Sequence, residues 1–108
     1  MTAAAPFRVI FSENAKDDIR RLLAKAIASG IGVIARDALV RAADALLDNP
    51  LTFGDLVHGT RRPGGVVCHG NQPPFFFRFS VYETERVVFV YRVVAIPSSA
   101  LDDSSHGV

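Results

Sequence analysis

The feature that most constrains the fold is a pair of apolar runs, residues 75–82 and 87–96, separated by the charged link Glu83–Arg86. Both runs are rich in β-branched and aromatic residues, which favour strands, and the polar link is typical of a turn. The sequence therefore predicts an antiparallel β-hairpin. A hairpin alone is only marginally stable in water, so other elements must cover its aromatic face.

A three-residue loop, Glu83–Glu85, sets the predicted register of this hairpin. One face then carries an unbroken apolar set of opposed pairs: Phe75 with Val93, Phe77 with Tyr91, Phe79 with Phe89, and Val81 with Val87. A register shifted by one residue would pair the phenylalanine face with Arg92, so we prefer the first alignment. The opposite face carries the remaining side chains: Phe76, Arg78, Ser80, Tyr82, Val88, Val90, Arg92 and Val94.

Length and composition narrow the class of protein. A chain of 108 residues with 49% hydrophobic content is sufficient for one domain with its own core. Twelve basic and 11 acidic residues give a net charge of +1, which provides no overall field for attracting nucleic acid or anionic lipid. The single cysteine, Cys68, excludes an intrachain disulfide and favours a reducing compartment. With no apolar run of about 18 residues and no signal-peptide pattern, we expect a cytoplasmic protein without a membrane partner.

The first part of the chain predicts a strand followed by two helices. Residues 7–11 alternate in polarity, and Ser12 or Asn14 can cap the helix that follows. The apolar stripe of this helix is Ala15, Ile19, Leu22, Leu23, Ala26 and Ile27. Five charged residues fall outside the stripe, on a predicted solvated face with an Asp17–Arg21 pair: Lys16, Asp17, Arg20, Arg21 and Lys25.

Glycines at positions 30 and 32 interrupt the helical pattern, and a second helix is predicted from about Val33 to Asp48, before Asn49-Pro50. Its apolar stripe is Ala35, Leu39, Ala42 and Leu46, widened by Ile34, Ala38 and Leu47. Because the link is short, the two helices are expected to be antiparallel. The aromatic face of the hairpin is the obvious partner for their apolar faces.

The remaining segments complete an α+β prediction of element order β-α-α-β-β-β, with both helices on one face of a small, mainly antiparallel sheet. Short extended segments are expected at Asp55–His58 and Gly65–Gly70, and the second leads into the hairpin. Residues 60–65 are predicted to form an exposed basic loop. Residues 7–96 are expected to form the single domain, between a disordered leader, 1–6, and a disordered tail, 97–108.

Three stretches resemble the RelE/ParE toxin superfamily of bacterial type II toxin–antitoxin modules. Residues 7–19 are similar to the family's opening strand and acidic helix start. Asp48–Pro50 closes the second helix in a similar way, and residues 77–90 are similar to the family's closing hairpin. The resemblance extends from Phe7 to about Ile96. It implies a bacterial toxin-like protein that binds a macromolecular target, as ParE-like members inhibit DNA gyrase, and that a cognate antitoxin neutralises.

The resemblance also implies an alternative, a RelE-like ribosome-dependent endoribonuclease that cuts mRNA. Such enzymes carry lysines and arginines on the central strands and after the last strand. This sequence departs from that pattern, with residues 66–69, 75–77 and 97–99 at the corresponding places. Whether the chain is an enzyme therefore stays open, and a third hypothesis is a degenerate, non-toxic interaction module.

The candidate catalytic residues are Arg78, Arg92 and His69. Guanidinium groups suit phosphate or carboxylate, and a histidine can transfer protons near neutral pH. The structural alternative for the arginines is a solvated border of an exposed sheet face. The candidate binding residues are Arg61, Arg62, Phe76, Ser80, Tyr82 and Val90.

The apolar residues of the predicted exposed face indicate a partner site, because a face of that kind is rarely left in water. An antitoxin is the first hypothesis, and a homodimer that buries the same patch is the alternative. His58, Cys68 and His69 match no compact zinc spacing, so neither a metal nor a cofactor is expected.

Overall fold

The computed structural model describes residues 6–62 and 65–96, and for residues 55–62 it describes the backbone only. The predictions for residues 1–5 and for the tail after Ile96 lie outside these ranges. Within them, three helices and five strands follow one another: β1 (Arg8–Phe11), α1 (Glu13–Ala28), α2 (Gly32–Asp48), α3 (Pro50–Phe53), β2 (Asp55–Arg62), β3 (Gly65–Gln72), β4 (Phe75–Tyr82) and β5 (Val87–Ala95).

The strands form one sheet in the order β1-β5-β4-β3-β2. β1 runs parallel to β5, and all other neighbours are antiparallel. The predicted α+β class, with two helices against a mainly antiparallel sheet, is confirmed. Compared with the predicted order β-α-α-β-β-β, the structure contains two more elements among the described residues. They are the short helix α3 and the strand β2, which extends from Asp55 to Arg62. Arg61 and Arg62 therefore lie in a strand and not in the predicted loop.

Each long helix buries a narrow stripe of four residues, of which two in α1 and three in α2 are alanine. In α1 the buried residues are Ala15, Asp18, Leu22 and Ala26, and in α2 they are Ala35, Ala38, Ala42 and Leu46. Small side chains let the helices approach each other and the sheet closely. The predicted stripes were too wide, because Ile27, Ile34 and Leu47 are exposed.

Ser12 is the residue that caps α1. Its hydroxyl accepts a hydrogen bond from the Ala15 N–H at 3.0 Å, which satisfies one of the free donors of the first helical turn. At the other end of the helix, Gly30 has a φ of +81°, a backbone conformation that glycine adopts at little cost. The break predicted between the two helices is therefore confirmed.

The hairpin of β4 and β5 differs from the predicted register. Tyr82 pairs with Val87, and Phe79 pairs with Val90, so the turn contains four residues and not three. Arg86 belongs to this turn, and its carbonyl oxygen accepts a hydrogen bond from the Arg8 N–H of β1 at 2.8 Å. The Arg86 guanidinium also lies 3.9 Å from the centroid of the Phe7 ring.

A β-bulge changes the register a second time. Phe79 opposes Val90, whereas Arg78 opposes Arg92, which leaves Tyr91 as the extra residue. Phe77 then opposes Val93. The predicted pairs of the hairpin are therefore wrong.

The core lies between the helix pair and the inner face of the sheet. The inner face of β4 is the predicted one, and all four of its residues are buried: Phe75, Phe77, Phe79 and Val81. On β5, Val88, Val90 and Val93 are buried, whereas Val87 and Phe89 are half-buried. The prediction had placed Val88 and Val90 on the exposed face, and the longer turn explains the error, because one added residue reverses the faces of a strand.

Candidate functional site

The three candidate catalytic residues occupy one row across the centre of the sheet. His69 on β3 pairs in register with Arg78 on β4, and Arg78 pairs with Arg92 on β5. The row continues to Asp55 at the start of β2. His69 and Arg78 belong to what we call the outer face, the side of the sheet opposite the helices. The fold thus brings together three residues that lie up to 23 positions apart in the sequence.

Arg92 is bound to a carboxylate of the helix layer. Its Nε donates a hydrogen bond to Asp18 Oδ2 at 2.8 Å, and its Nη2 donates to Asp18 Oδ1 at 3.3 Å. The Val93 N–H also donates to Asp18 Oδ2, at 2.9 Å, and Arg21 Nη2 donates to Oδ1 at 3.0 Å. Asp18 is only 4% exposed, so this carboxylate is a buried connection between α1 and β5.

Several opposing effects determine the ionisation of Asp18. Burial raises the pKa of this carboxyl. Three hydrogen bonds and the charge of Arg92 lower the pKa by more than burial raises it, and the donors are Arg92, the Val93 N–H and Arg21. The net result is a pKa below the ordinary aspartate value. Asp18 in turn raises the pKa of Arg92. The pair is therefore ionised throughout the neutral range.

Asp18 and Ser12 together cover an open strand edge. β1 ends at Phe11, so beyond Val90 no strand of the described residues pairs with β5 on that side. The Ser12 N–H donates to the Val90 carbonyl at 3.0 Å, and the Ser12 hydroxyl donates to the Tyr91 carbonyl at 2.8 Å. Asp18 accepts the next available donor of the edge, the Val93 N–H. The start of α1 thus satisfies backbone groups that would otherwise be left free.

Arg78 differs from Arg92 in its surroundings. Both side chains are exposed, but no hydrogen bond or ion pair joins that of Arg78 to any other residue in the described part of the chain. Its positive charge is therefore available on the outer face. This is the property expected of a residue that binds an anionic group of a partner.

His69 is less accessible than a proton-transfer group should be. Its ring packs edge-on against Phe76, with the ring centroids 4.9 Å apart. Its Nε2 atom is buried and has no hydrogen-bond partner among the described residues. A buried nitrogen cannot exchange a proton with a ligand on the surface, so this geometry does not favour Nε2 as a general acid or base.

The other candidate binding residues occupy varied positions. Ser80 is fully buried, and its hydroxyl hydrogen-bonds to the phenol of Tyr91. Phe76 and Tyr82 are half-buried on the outer face. Val90 is fully buried in the core, so its predicted place on an exposed binding face is wrong. The side chains of Arg61 and Arg62 lie outside the described residues.

Exposed apolar surface is found on the helix pair. Large side chains on its outward side are 58–76% exposed: Ile27, Val33, Ile34 and Val40. A cleft of about 420 Å³ lies where α1 ends and α2 begins, and its lining residues are Leu23, Ile27, Gly30, Gly32, Val33 and Arg36. Among the described residues, these helix side chains are more exposed than Phe76 and Tyr82 of the outer face, where the apolar partner surface was predicted.

Asp18 is the site residue that sequence reasoning missed. The signal was its position, because Asp18 lies three residues after Ala15 and four before Leu22, inside the apolar stripe of α1. A charged residue within such a stripe must find partners when it is buried.

The charge pairing along α1 also differs from the prediction, since Asp17 pairs with Arg20 and not with Arg21.

The hydrogen bonds of the Asp18 carboxylate predict how the stability of the protein changes in acid. Because the folded-state pKa of Asp18 lies below its unfolded value of about 3.9, its stabilisation is complete above that pH and is lost as pH falls through the folded pKa. Asp18→Asn should lower the free energy of unfolding by about 1.5–3 kcal/mol at pH 7. Urea titrations from pH 7 to pH 3 should show this difference shrinking in acid. A difference that grew as pH fell would contradict the assignment.

The described residues contain neither a membrane-spanning helix nor a cluster of metal-binding side chains. No helix in residues 6–62 or 65–96 is long and apolar enough to cross a membrane. In the same part of the chain, no group of three or more histidine, cysteine, aspartate or glutamate side chains is placed to hold a metal ion.

Comparison with solved structures identifies proteins of the same fold. One chain of the toxin–antitoxin complex RelBE2 from Mycobacterium tuberculosis is 18% identical, with a TM-score of 0.64 over 89% of this chain and 98% of that one. A chain of the archaeal RelE–RelB complex from Pyrococcus horikoshii is 13% identical, with a TM-score of 0.61 over 86% and 98%. A chain of the chromosomal ParDE system from P. aeruginosa is 14% identical, with a TM-score of 0.55 over 83% and 96%.

No protein-family model and no curated protein matches the sequence. At these low identities the structural similarity shows the fold alone. The fold is the one found in these RelE–RelB and ParDE complexes, as the sequence resemblance predicted.

Proposed function

We propose that residues 7–96 form the toxin-like component of a type II toxin–antitoxin module, which binds a macromolecular target and is neutralised by an antitoxin. The observation that carries this proposal is the similarity of 83–89% of the chain to chains of three toxin–antitoxin assemblies. Such a module would act in the bacterial cytoplasm and could serve plasmid stabilisation.

The helix pair supports an antitoxin as the partner. Its exposed apolar side chains, with Val33 at 76% and Ile27 at 69%, are costly to leave in water. Both line the cleft between α1 and α2, with Arg36 beside them. An antitoxin segment with apolar side chains would bury this surface. A homodimer through the same surface is the alternative.

The outer face supports binding of a target, as in gyrase inhibition or a related action. Arg78 offers a charge without a partner among the described residues, next to the half-buried rings of Phe76 and His69. A chemical step would need further groups that can move protons or stabilise charge. Of the residues in the central row, Arg92 is ion-paired with Asp18 of α1, and His69 has a buried Nε2 atom. These features favour binding over catalysis.

One observation favours the second candidate, a RelE-like endoribonuclease acting on mRNA at the ribosome. His69, Arg78 and Arg92 are aligned on three neighbouring strands, which is where a phosphate could meet two arginines and a histidine. Ligand binding would then have to separate Arg92 from Asp18 and expose His69.

Induced expression in a bacterial host distinguishes these functions. The proposal expects growth arrest with intact transcripts and with DNA damage, if the target is gyrase or a similar enzyme. Arrest with cleaved transcripts would support the endoribonuclease. Normal growth with soluble, folded protein would overturn both and leave the non-toxic interaction module. Co-expression of a small neighbouring gene should restore growth if that gene encodes the antitoxin.

A further inference from the structure

The two arginines of the central row are neighbours in register but differ in electrostatic environment. The charge of Arg92 faces a carboxylate, since its Nε lies 2.8 Å from Asp18 Oδ2. Arg78 is exposed and has no ion pair within the described part of the chain. The row therefore carries two exposed arginines, of which Arg92 is paired with a carboxylate of α1 and Arg78 has no charged partner among the described residues.

We infer that Asp18 is a positioning residue, which fixes Arg92 against α1 and withholds its charge, so that, among the described side chains of the row, Arg78 is the unpaired cation that is presented to a target. The inference rests on the proposed function, in which the outer face is the surface that binds the target. It extends that function by assigning different roles to the two arginines and by adding a residue that lies in the helix layer.

The geometry of Asp18 explains why this arrangement persists. Its carboxylate accepts hydrogen bonds from two arginines and from the Val93 N–H, and it is almost fully buried. For Arg92 to turn toward a ligand, this carboxylate would lose its hydrogen bonds from the Arg92 guanidinium while remaining buried. Charge-assisted hydrogen bonds are among the stronger ones in proteins, so a weakly held anionic group would not displace it.

The Nε–Hε groups of the two arginines provide a test in the wild-type protein by NMR. The Arg92 Nε–Hε, which donates to Asp18, should exchange with water at least tenfold more slowly than that of Arg78. Titration with a decamer of uridylate should shift the Arg78 signal and leave the Arg92 signal in place. Equal exchange rates, or a larger shift at Arg92, would overturn the inference. Because the exchange rates need no ligand and no toxicity, they remain informative if the proposed function fails.

Charge variants test the same inference by affinity. Asp18→Asn should release Arg92 and strengthen binding of the uridylate decamer by roughly two- to fivefold. The slope of log affinity against log salt should steepen by about 0.7, the value for one more phosphate contact on a single strand. A merely structural role of Asp18 predicts weaker binding or none.

Asp17→Asn is the matched control, because it removes the same charge from an exposed neighbour that pairs with Arg20. It should change affinity and slope less than Asp18→Asn does. The double variant Asp18→Asn/Arg92→Gln should return to the wild-type slope. Equal gains from Asp17→Asn and Asp18→Asn would show an effect of net charge alone and would overturn the inference. If Asp18→Asn does not fold, the wild-type exchange rates decide.

Discussion

Replacing Val90 with glutamate is expected to abolish the folded state. Val90 is fully buried among core side chains of β4, β5 and the helices, where an ionised carboxylate would lose its water. Burial of an unpaired charge costs several kcal/mol, which is comparable with the whole stability of about 5–15 kcal/mol of a small domain. Circular dichroism and urea unfolding should show no cooperative transition for the variant at pH 7.

Val40→Glu is the matched control for this result. It makes the same substitution at a valine of α2 that is 58% exposed, and it should change the free energy of unfolding by less than about 0.5 kcal/mol. If Val90→Glu folded as well as Val40→Glu, the observed faces of β5 would be contradicted. The register with a three-residue turn, which exposes Val90, would then be favoured.

Replacing Phe79 with alanine should lower the free energy of unfolding by about 3–5 kcal/mol, because it removes a large buried side chain and leaves a cavity. Phe79 is fully buried, and its ring centroid lies 5.9 Å from that of Phe53. The backbone also packs closely on it, since a Cβ atom added at Gly54 would lie 2.5 Å from the ring. Urea unfolding at pH 7 provides the measurement.

Phe89→Ala is the control for the assignment of the two faces. Phe89 lies half-buried on the outer face, and its main aromatic contact is Tyr91, at 5.2 Å between centroids. Its loss should cost about 1–2 kcal/mol, since an aromatic pair contributes about 0.5–1.5 kcal/mol beyond its buried area. Similar costs for the two alanine variants would contradict the separation of Phe79 and Phe89 onto opposite faces.

Local patterns predicted the element types and the inner face of β4. The alternation of Phe75, Phe77, Phe79 and Val81 has the two-residue period of a strand, and only one of its faces is uniformly apolar. The helix pair was similarly predictable from its apolar spacing and from Gly30 and Gly32, which lie before and at the start of α2. These features depend on near neighbours in the chain, so the sequence contains the necessary information.

The faces of β5 could not be predicted in this way, because both of its alternating sets of residues are apolar except for Arg92, and that one residue favoured the wrong register. What determines them is the docking of β1. The Arg8 N–H binds the carbonyl of Arg86, and the Phe7 ring packs on the Arg86 guanidinium. These contacts involve Arg86, the residue by which the turn exceeds the predicted length. They join residues 78–79 positions apart, which no local pattern indicates.

The sequence predicted which residues belong to the candidate site better than it predicted their contacts. Arg78, Arg92 and His69 were selected by residue type and by position in strands, and the register places them in one row. Their unequal availability depends on Asp18, which is 74 positions away from Arg92 in the sequence. Only the packing of α1 on β5 reveals that Arg92 is held by Asp18, whereas Arg78 has no such partner among the described residues.

Growth of a bacterial culture after induction tests the central claim most directly, with variants compared at equal soluble protein levels. The account predicts that the wild-type chain arrests growth and that Arg78→Gln does not. Arg20→Gln, which alters an exposed arginine of α1 paired with Asp17, should arrest growth as the wild type does. Unchanged growth with folded wild-type protein would contradict the toxin-like function. Equal arrest by Arg78→Gln and the wild type would contradict the assignment of the target-binding face.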